Sequence, residues 1–246
     1  MPQVAVFDTA FHRTMPEDAS TFAVPLRWRD DWGIRRYGFH GLSVEWASER
    51  VAVPRLVVCH LGGGCSITAV EDGRSVDTTM GFSPLDGVPM ATRSGSVDPE
   101  IVLHLLRTGK LDVAEIEDAL ERESGLYGLS ELSGRVEELE ANGSPDARLA
   151  LAVFERRVAG AAAAMTASLG GLDALAFTEG VGENSSSVRA AICARLGFAG
   201  VELDLDRNAA ARPDAEIAAA GSRVRVHVIA AREDVVAARA ARGLIH

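Results

Sequence analysis

Three consecutive glycines stand between two apolar runs in the stretch Cys59-His60-Leu61-Gly62-Gly63-Gly64-Cys65-Ser66-Ile67. Glycine has no Cβ, so the backbone N–H groups of such a turn can approach an anionic oxygen closely and converge on it. Phosphate binding is the chemistry this spacing permits. The plainer reading is a hairpin turn, and the glycines alone do not decide between the two. Two phosphate loops are excluded by the neighbouring residues. A P-loop needs Gly-Lys-Ser/Thr opening a helix, and a dinucleotide fold sets its glycines between strand and helix. Lys110 is the one lysine of the chain and is followed by Leu111.

The elements that must position this loop are written around it. The glycines lead into Ser66-Ile67-Thr68-Ala69-Val70, then Glu71-Asp72-Gly73-Arg74, then Ser75-Val76-Asp77-Thr78-Thr79. This predicts strand, glycine turn, strand, Asp-Gly turn, strand. Ser144 as N-cap, Pro145 at the first helical position and Gly170-Gly171 as the stop predict one long helix. A strand follows from Leu172 to Thr178. The second glycine turn, Gly180-Val181-Gly182-Glu183-Asn184, then opens a helix with Val188, Ile192 and Leu196 on one face and Gly197 at its end. A helix start after a glycine turn is a place where an anion or nucleotide meets free N–H groups.

Asp98-Pro99-Glu100 starts a helix with the apolar stripe Ile101, Val102, Leu105 and Leu106, closed by Gly109. Residues 223–229 alternate as a strand. Glu233 to Arg242 read as a terminal helix with acids first and arginines last, as the helix dipole favours. The polar, glycine-punctuated stretch from Glu121 to Ser144 is expected to be surface structure. No internal repeat, low-complexity linker or heptad is present.

Composition limits the function classes. A chain of 246 residues, 47% hydrophobic, makes one or two domains with a full core. Its formal net charge of −10 argues against nucleic acid, whose binders carry a basic patch. Cys59, Cys65 and Cys193 form no Cys-x-x-Cys pair and read as reduced, buried thiols of a cytoplasmic protein, small core side chains in preference to metal or redox groups. The longest small-apolar run, Val158 to Leu169, falls short of the roughly 20 residues a membrane span requires.

A phosphate held between hairpin strands points to the actin-like ATPase and sugar-kinase architecture, and five further motifs narrow it. They are Val6-Phe7-Asp8-Thr9-Ala10-Phe11-His12, Arg36-Tyr37-Gly38-Phe39-His40-Gly41, Met80-Gly81-Phe82-Ser83-Pro84-Leu85, Thr92-Arg93-Ser94-Gly95 and Phe177-Thr178-Glu179-Gly180-Val181-Gly182-Glu183-Asn184. In this order they resemble the acetate kinase family over essentially the whole chain. The resemblance implies an α/β fold, one actin-like (ribonuclease H-like) lobe with a mixed sheet and flanking helices. Residues 1–246 would form the family's C-terminal nucleotide-binding lobe. Residues 1–10 and 233–246 would border its N-terminal lobe, whose first phosphate loop and substrate-binding arginine do not occur before Val4.

The implied reaction is reversible transfer of the γ-phosphoryl of ATP to acetate, giving acetyl phosphate and ADP, with Mg2+ as cofactor. Arg93 matches the family's transition-state arginine and His40 the histidine that bonds the same phosphoryl group. Asp8, read as ending a Val4–Phe7 strand, matches the aspartate that orients the catalytic arginine or the metal-bound phosphate, and Glu233 matches the Mg2+ carboxylate. The nucleotide-binding residues carried over are His60, Leu61, Gly62, Gly63 and Gly64, then Ser133, Gly134 and Arg135, then Gly180, Val181, Gly182, Glu183 and Asn184. His12 falls in a family motif near the site, and His104 reads as structural. His227 and His246 carry no signal. A homodimer is implied, with no nucleic-acid or membrane partner.

Three positions depart from the family. Gly63 stands where an asparagine is usual, Ser133 where the acid of an Asp-x-Arg stretch is usual, and Glu179 where a small residue precedes Gly180. Three readings follow: an acetate kinase with impaired turnover for want of the first lobe, a propionate or butyrate kinase of the same kind, and a non-catalytic nucleotide- or partner-binding module.

Overall fold

The computed structural model describes residues 3–245; Met1, Pro2 and His246, the outermost residues of the expected lobe borders, lie outside the described residues. Six strands form one mixed sheet: β1 (Arg55–Leu61), β2 (Cys65–Glu71), β3 (Arg74–Thr78), β4 (Ala174–Thr178), β5 (Ala215–Glu216) and β6 (Arg225–Ile229), in the order β3-β2-β1-β4-β6-β5. The hairpins β1–β2 and β2–β3 are antiparallel, as is β5 against β6, whereas β1, β4 and β6 run parallel at the centre. Their C-terminal ends therefore open on one side, where open α/β sheets place ligands.

Alternation along the strands sorts side chains onto two faces. Val57, Cys59, Leu61, Ile67, Leu175, Phe177, Val226 and Val228 fill the larger core. Covering that face are α8 (Pro145–Ser168), through Phe154, Val158, Ala162 and Met165, and α10 (Ser186–Arg195), through Val188 and Ile192. Leu56, Val58, Ala174, Ala176 and Ile229 point to the other face, against Val44, Ala47 and Val51 of α3 (Gly41–Val51). Helix α12 (Glu233–Ile245) lies beside α3. The long helix begins as its sequence predicts, with the Ser144 hydroxyl accepting from Ala147 N–H at 3.2 Å. The three cysteines are buried and unpaired in the larger core, and among the described residues no helix is long and apolar enough to cross a membrane.

The remaining helices are α1 (Glu17–Ser20), α2 (Leu26–Trp32), α4 (Pro99–Arg107), α5 (Val113–Arg122), α6 (Gly125–Ser130), α7 (Val136–Asn142), α9 (Glu179–Asn184) and α11 (Leu205–Ala210). Four sequence expectations are corrected here. Val4–Phe7 is not a strand, because it has no ladder partner among the described residues, and Phe7 is 69% exposed. The stripe on α4 is not packed: none of its residues is buried, and His104 stands exposed with it. The segment after Thr178 is two helices, since Ser185 ends α9 and its hydroxyl caps α10 by accepting from Val188 N–H. The Glu121–Ser144 stretch is not all surface, because Leu126, Val136 and Leu139 enter the core.

Candidate active site beside a cleft

The triple glycine is the three-residue turn of the β1–β2 hairpin, closed by the Leu61–Cys65 pair. Gly62 N–H donates to Gly64 C=O at 3.1 Å, and Ala91 N–H donates to Gly63 C=O at 3.3 Å. Gly63 is exposed, and a Cβ there would meet nothing within 4 Å. At Gly64 a Cβ would stand 3.2 Å from His40 Nε2 and 3.3 Å from Arg93 Nη1. Absence of a side chain thus lets an imidazole and a guanidinium close over the same turn.

Arg93 reaches this point from a loop held by α5 and α6. Ser94 N–H donates to Leu120 C=O, Ser124 N–H to Thr92 C=O and Leu126 N–H to Met90 C=O, all at 2.9 or 3.0 Å. The guanidinium donates to Pro84 C=O at 3.2 Å, which leaves most of its fork for a ligand.

His40 adopts a left-handed conformation, φ 60°, at the start of α3. Asp8 holds it there, its carboxylate accepting from His40 N–H at 2.5 Å and from Leu42 N–H at 3.5 Å. Gly41 N–H donates to Asp8 C=O at 3.0 Å, and a Cβ on Gly41 would lie 2.2 Å from that oxygen. Asp8 therefore caps α3 as it orients the site. His40 Nδ1 pairs with Ser66 Oγ at 3.0 Å, and its ring stacks on His60 with centroids 4.0 Å apart. His60 in turn pairs with Ser43 Oγ at 3.0 Å.

Burial, opposed by Asp8 and reinforced by Arg93 and His12, brings His40 down to about 4. Burial and His40 hold His60 well below its ordinary value. Both rings are neutral at pH 7, so His40 is a hydrogen-bonding group and Arg93 the positive charge. His12 is a buried latch behind them, bonded to Ser75 Oγ at 2.8 Å and Phe39 C=O at 2.9 Å.

A cleft of about 850 Å3 adjoins the turn. Among the residues carried over from the family, Gly62, Gly63, Gly134, Arg135, Gly180, Val181 and Asn184 line it. His60, Leu61, Gly64, Ser133, Gly182 and Glu183 do not. Leu61 is a core residue of β1, and Ser133 Oγ accepts from Arg135 N–H at 3.1 Å to shape the turn. Glu183 turns away from the cleft, and one of its oxygens accepts from Glu179 N–H at 3.1 Å and from Ala231 N–H at 2.9 Å. The Arg135 guanidinium pairs with Glu138 at 3.0 Å on the exposed rim.

Sequence reasoning missed Ala91, Thr92, Glu140 and Ser185 in the wall. It also missed Arg189, which is 2% exposed. Its guanidinium donates to Gly182 and Glu183 C=O at 2.9 Å and to Asn208 Oδ1 and C=O at 2.8 Å, pinning the end of α9. A charged residue directly after buried Val188 was its only sequence signal.

Glu179 has φ 71° and lines the cleft. A Cβ on Gly62 would stand 2.6 Å from its Cγ and 3.3 Å from its Oε1. Glu233 opens α12 on the same side; burial, then Asp8 and Glu179, raise its carboxyl above the ordinary value. Among the described residues no three His, Cys, Asp or Glu side chains are gathered as a complete metal-ligand set. His227 is buried in β6 with Nε2 unpartnered.

A glycine hairpin turn after β1, the glycine-bearing helix α9 after β4, a cleft between them, and an arginine and a neutral histidine beside it stand at one end of a mixed sheet of the actin-like ATPase fold. The chain belongs to the acetokinase family, whose profile matches residues 1–239. It is 49% identical to the acetate kinase of Gloeobacter violaceus over 97% of this chain and 62% of that protein, and 47% identical to that of Nostoc punctiforme over 94% and 60%. Among solved structures it resembles Porphyromonas gingivalis acetate kinase, with TM-score 0.92 and 34% identity over 98% of this chain and 63% of that one. A propionate kinase from Francisella tularensis gives TM-score 0.89 and 39% identity over 94% of this chain and 62% of that one. The chain spans about 60% of the length of the curated relatives it matches.

Proposed function

We propose that this chain is the C-terminal, nucleotide-binding lobe of an acetate kinase, catalysing reversible phosphoryl transfer between ATP and acetate when completed by an N-terminal lobe. The observation that carries the reading is the meeting of His40 Nε2 and Arg93 Nη1 over Gly64, beside the cleft. An acetate oxygen forms a bond to the γ-phosphorus as the bond to the β,γ-bridging oxygen breaks, and the electron pair leaves on ADP. Charge builds on the equatorial oxygens, where the planar fork of Arg93 suits two of them and His40 donates one hydrogen bond. Asp8 fixes the His40 backbone.

The nucleotide runs along Gly62–Gly64, with its adenosine between Gly134-Arg135 and Gly180-Val181. Glu233 offers hard carboxylate oxygens, which suits Mg2+; that cation usually keeps water and substrate phosphates among its ligands and needs no full protein cage. When bound it neutralises the β- and γ-phosphate oxygens.

Propionate is the second acceptor considered, because a propionate kinase is among the structures this chain resembles. The exposed apolar residues of α4, Ile101 and Leu103, support pairing of two copies through this lobe. Unpaired, buried cysteines support a reducing cytoplasmic location. The test has two parts. Millimolar Mg-ADP is expected to raise the melting temperature of the chain, and no rise would sink the nucleotide reading. With a relative's N-terminal lobe supplied, ATP is expected from acetyl phosphate and Mg-ADP and is lost in Arg93→Ala; comparing acetyl with propionyl phosphate sets the acceptor.

A further inference from the structure

Three acids line the cleft; Glu137 pairs with Arg135 and Glu140 accepts from Ser185, whereas Glu179 lies against the phosphate turn. Its side chain lies against Gly62, the first residue of the phosphate turn, and its own backbone is held at φ 71°, where a residue with a Cβ is disfavoured. The carboxylate makes no hydrogen bond or ion pair among the described residues, and its N–H is fixed by Glu183. Arg93 and His40 cover the Gly64 end of the same turn. The three-residue loop thus carries a cation at one end and an unneutralised anion at the other.

We infer that Glu179 is a specificity-determining residue that makes nucleotide entry conditional on a divalent cation, by placing a negative charge against the phosphates of any metal-free nucleotide. The inference rests on the nucleotide reading of the cleft and adds the form of nucleotide admitted. An acid at this point repels metal-free di- or triphosphate and is neutral or attractive toward the magnesium complex, whose cation offsets both charges. A like charge a few ångströms away changes affinity on the order of tenfold in a partly solvated site.

The experiment is calorimetric titration of the full chain and of Glu179→Gln with ADP in EDTA and with ADP in excess Mg2+, and no turnover is needed. Glutamine keeps the length and shape and removes the charge. Expected is binding of metal-free ADP about tenfold tighter in Glu179→Gln than in the parent, with Mg-ADP affinity changed less than threefold. Glu179→Ala, which also removes the contact with Gly62, is expected to relax the metal requirement likewise, and coincident circular dichroism and melting curves exclude misfolding as the cause. An unchanged ratio of the two affinities in both variants overturns the inference and leaves the nucleotide reading intact. Failure of parent and variants alike to bind Mg-ADP overturns both.

Discussion

Position 63 has room that the chain does not use. A Cβ there meets nothing within 4 Å, and Gly63 is not in the left-handed region that reserves a site for glycine. Gly63→Asn is therefore expected to fold with an unchanged melting temperature. Its amide, at the tip of the turn and facing the cleft, adds one hydrogen bond to phosphate, worth about 1 kcal/mol, or roughly fivefold in Mg-ADP affinity by calorimetry. Gly64 is the contrasting case, since His40 and Arg93 occupy the space a side chain needs.

At this scale two motifs lying far apart in sequence supply Arg93 and His40, which the fold brings together over Gly64. The sequence was not legible where the role depends on direction. Glu183 sits inside a glycine motif, yet its carboxylate serves Ala231 in another loop. Asp8 keeps its expected place but works through the N–H groups of His40 and Leu42. Side-chain direction at a turn is set by partners distant in sequence, and spacing does not encode them.

Among elements, the junction of α9 and α10 depends on Arg189. Replacing it with methionine leaves the carbonyls of Gly182, Glu183 and Asn208 and the Asn208 Oδ1 without its four donor contacts. Breaking such a buried network costs about 3 kcal/mol, a melting temperature drop of roughly 6 to 12 °C for a chain this size. Arg189→Lys is expected to recover less than half, because one ammonium cannot span the positions the planar fork reaches. Differential scanning calorimetry checks both, and Mg-ADP affinity should fall with the loss of the Gly180-Val181 wall.

Elements with their own punctuation were readable: the β1–β2–β3 meander from its glycine and Asp-Gly turns, α8 from Ser144-Pro145, and α12 from its charge order. Those defined by what lies opposite were not. Val4–Phe7 has strand composition without a ladder among the described residues, and α4 has an apolar stripe of which no residue is fully buried. Periodicity reports that a face is apolar, and only tertiary structure says whether it is covered.

For the whole molecule, four histidines make stability acid-sensitive. His12, His40, His60 and His227 are all held below the ordinary value, chiefly by desolvation. Their stabilising contribution is complete above the unfolded value of about 6.5 and is lost as pH falls toward the folded values, since only the unfolded chain takes up the proton in that window. With a folded value of about 4, His40 alone accounts for about 2 kcal/mol between pH 7.5 and 5. Glu233 works in the opposite sense, because its raised carboxyl is accommodated more easily when protonated. Urea unfolding at the two pH values should therefore be shallower in its pH dependence for His40→Asn than for the parent, and an identical slope would place the imidazole in solvent.

The single Glu183 oxygen that accepts from both Glu179 and Ala231 ties the start of α9 to the strand end leading into Glu233. Two segments sharing one acceptor atom cannot relax independently, so ordering either one lowers the entropic cost of ordering the other. The free energy linking a ligand on the first segment to a cation on the second is then the same whichever arrives first. Titrating them in the two orders should close a thermodynamic square, and Glu183→Gln, which weakens the shared acceptor, should shrink its coupling term from both directions equally.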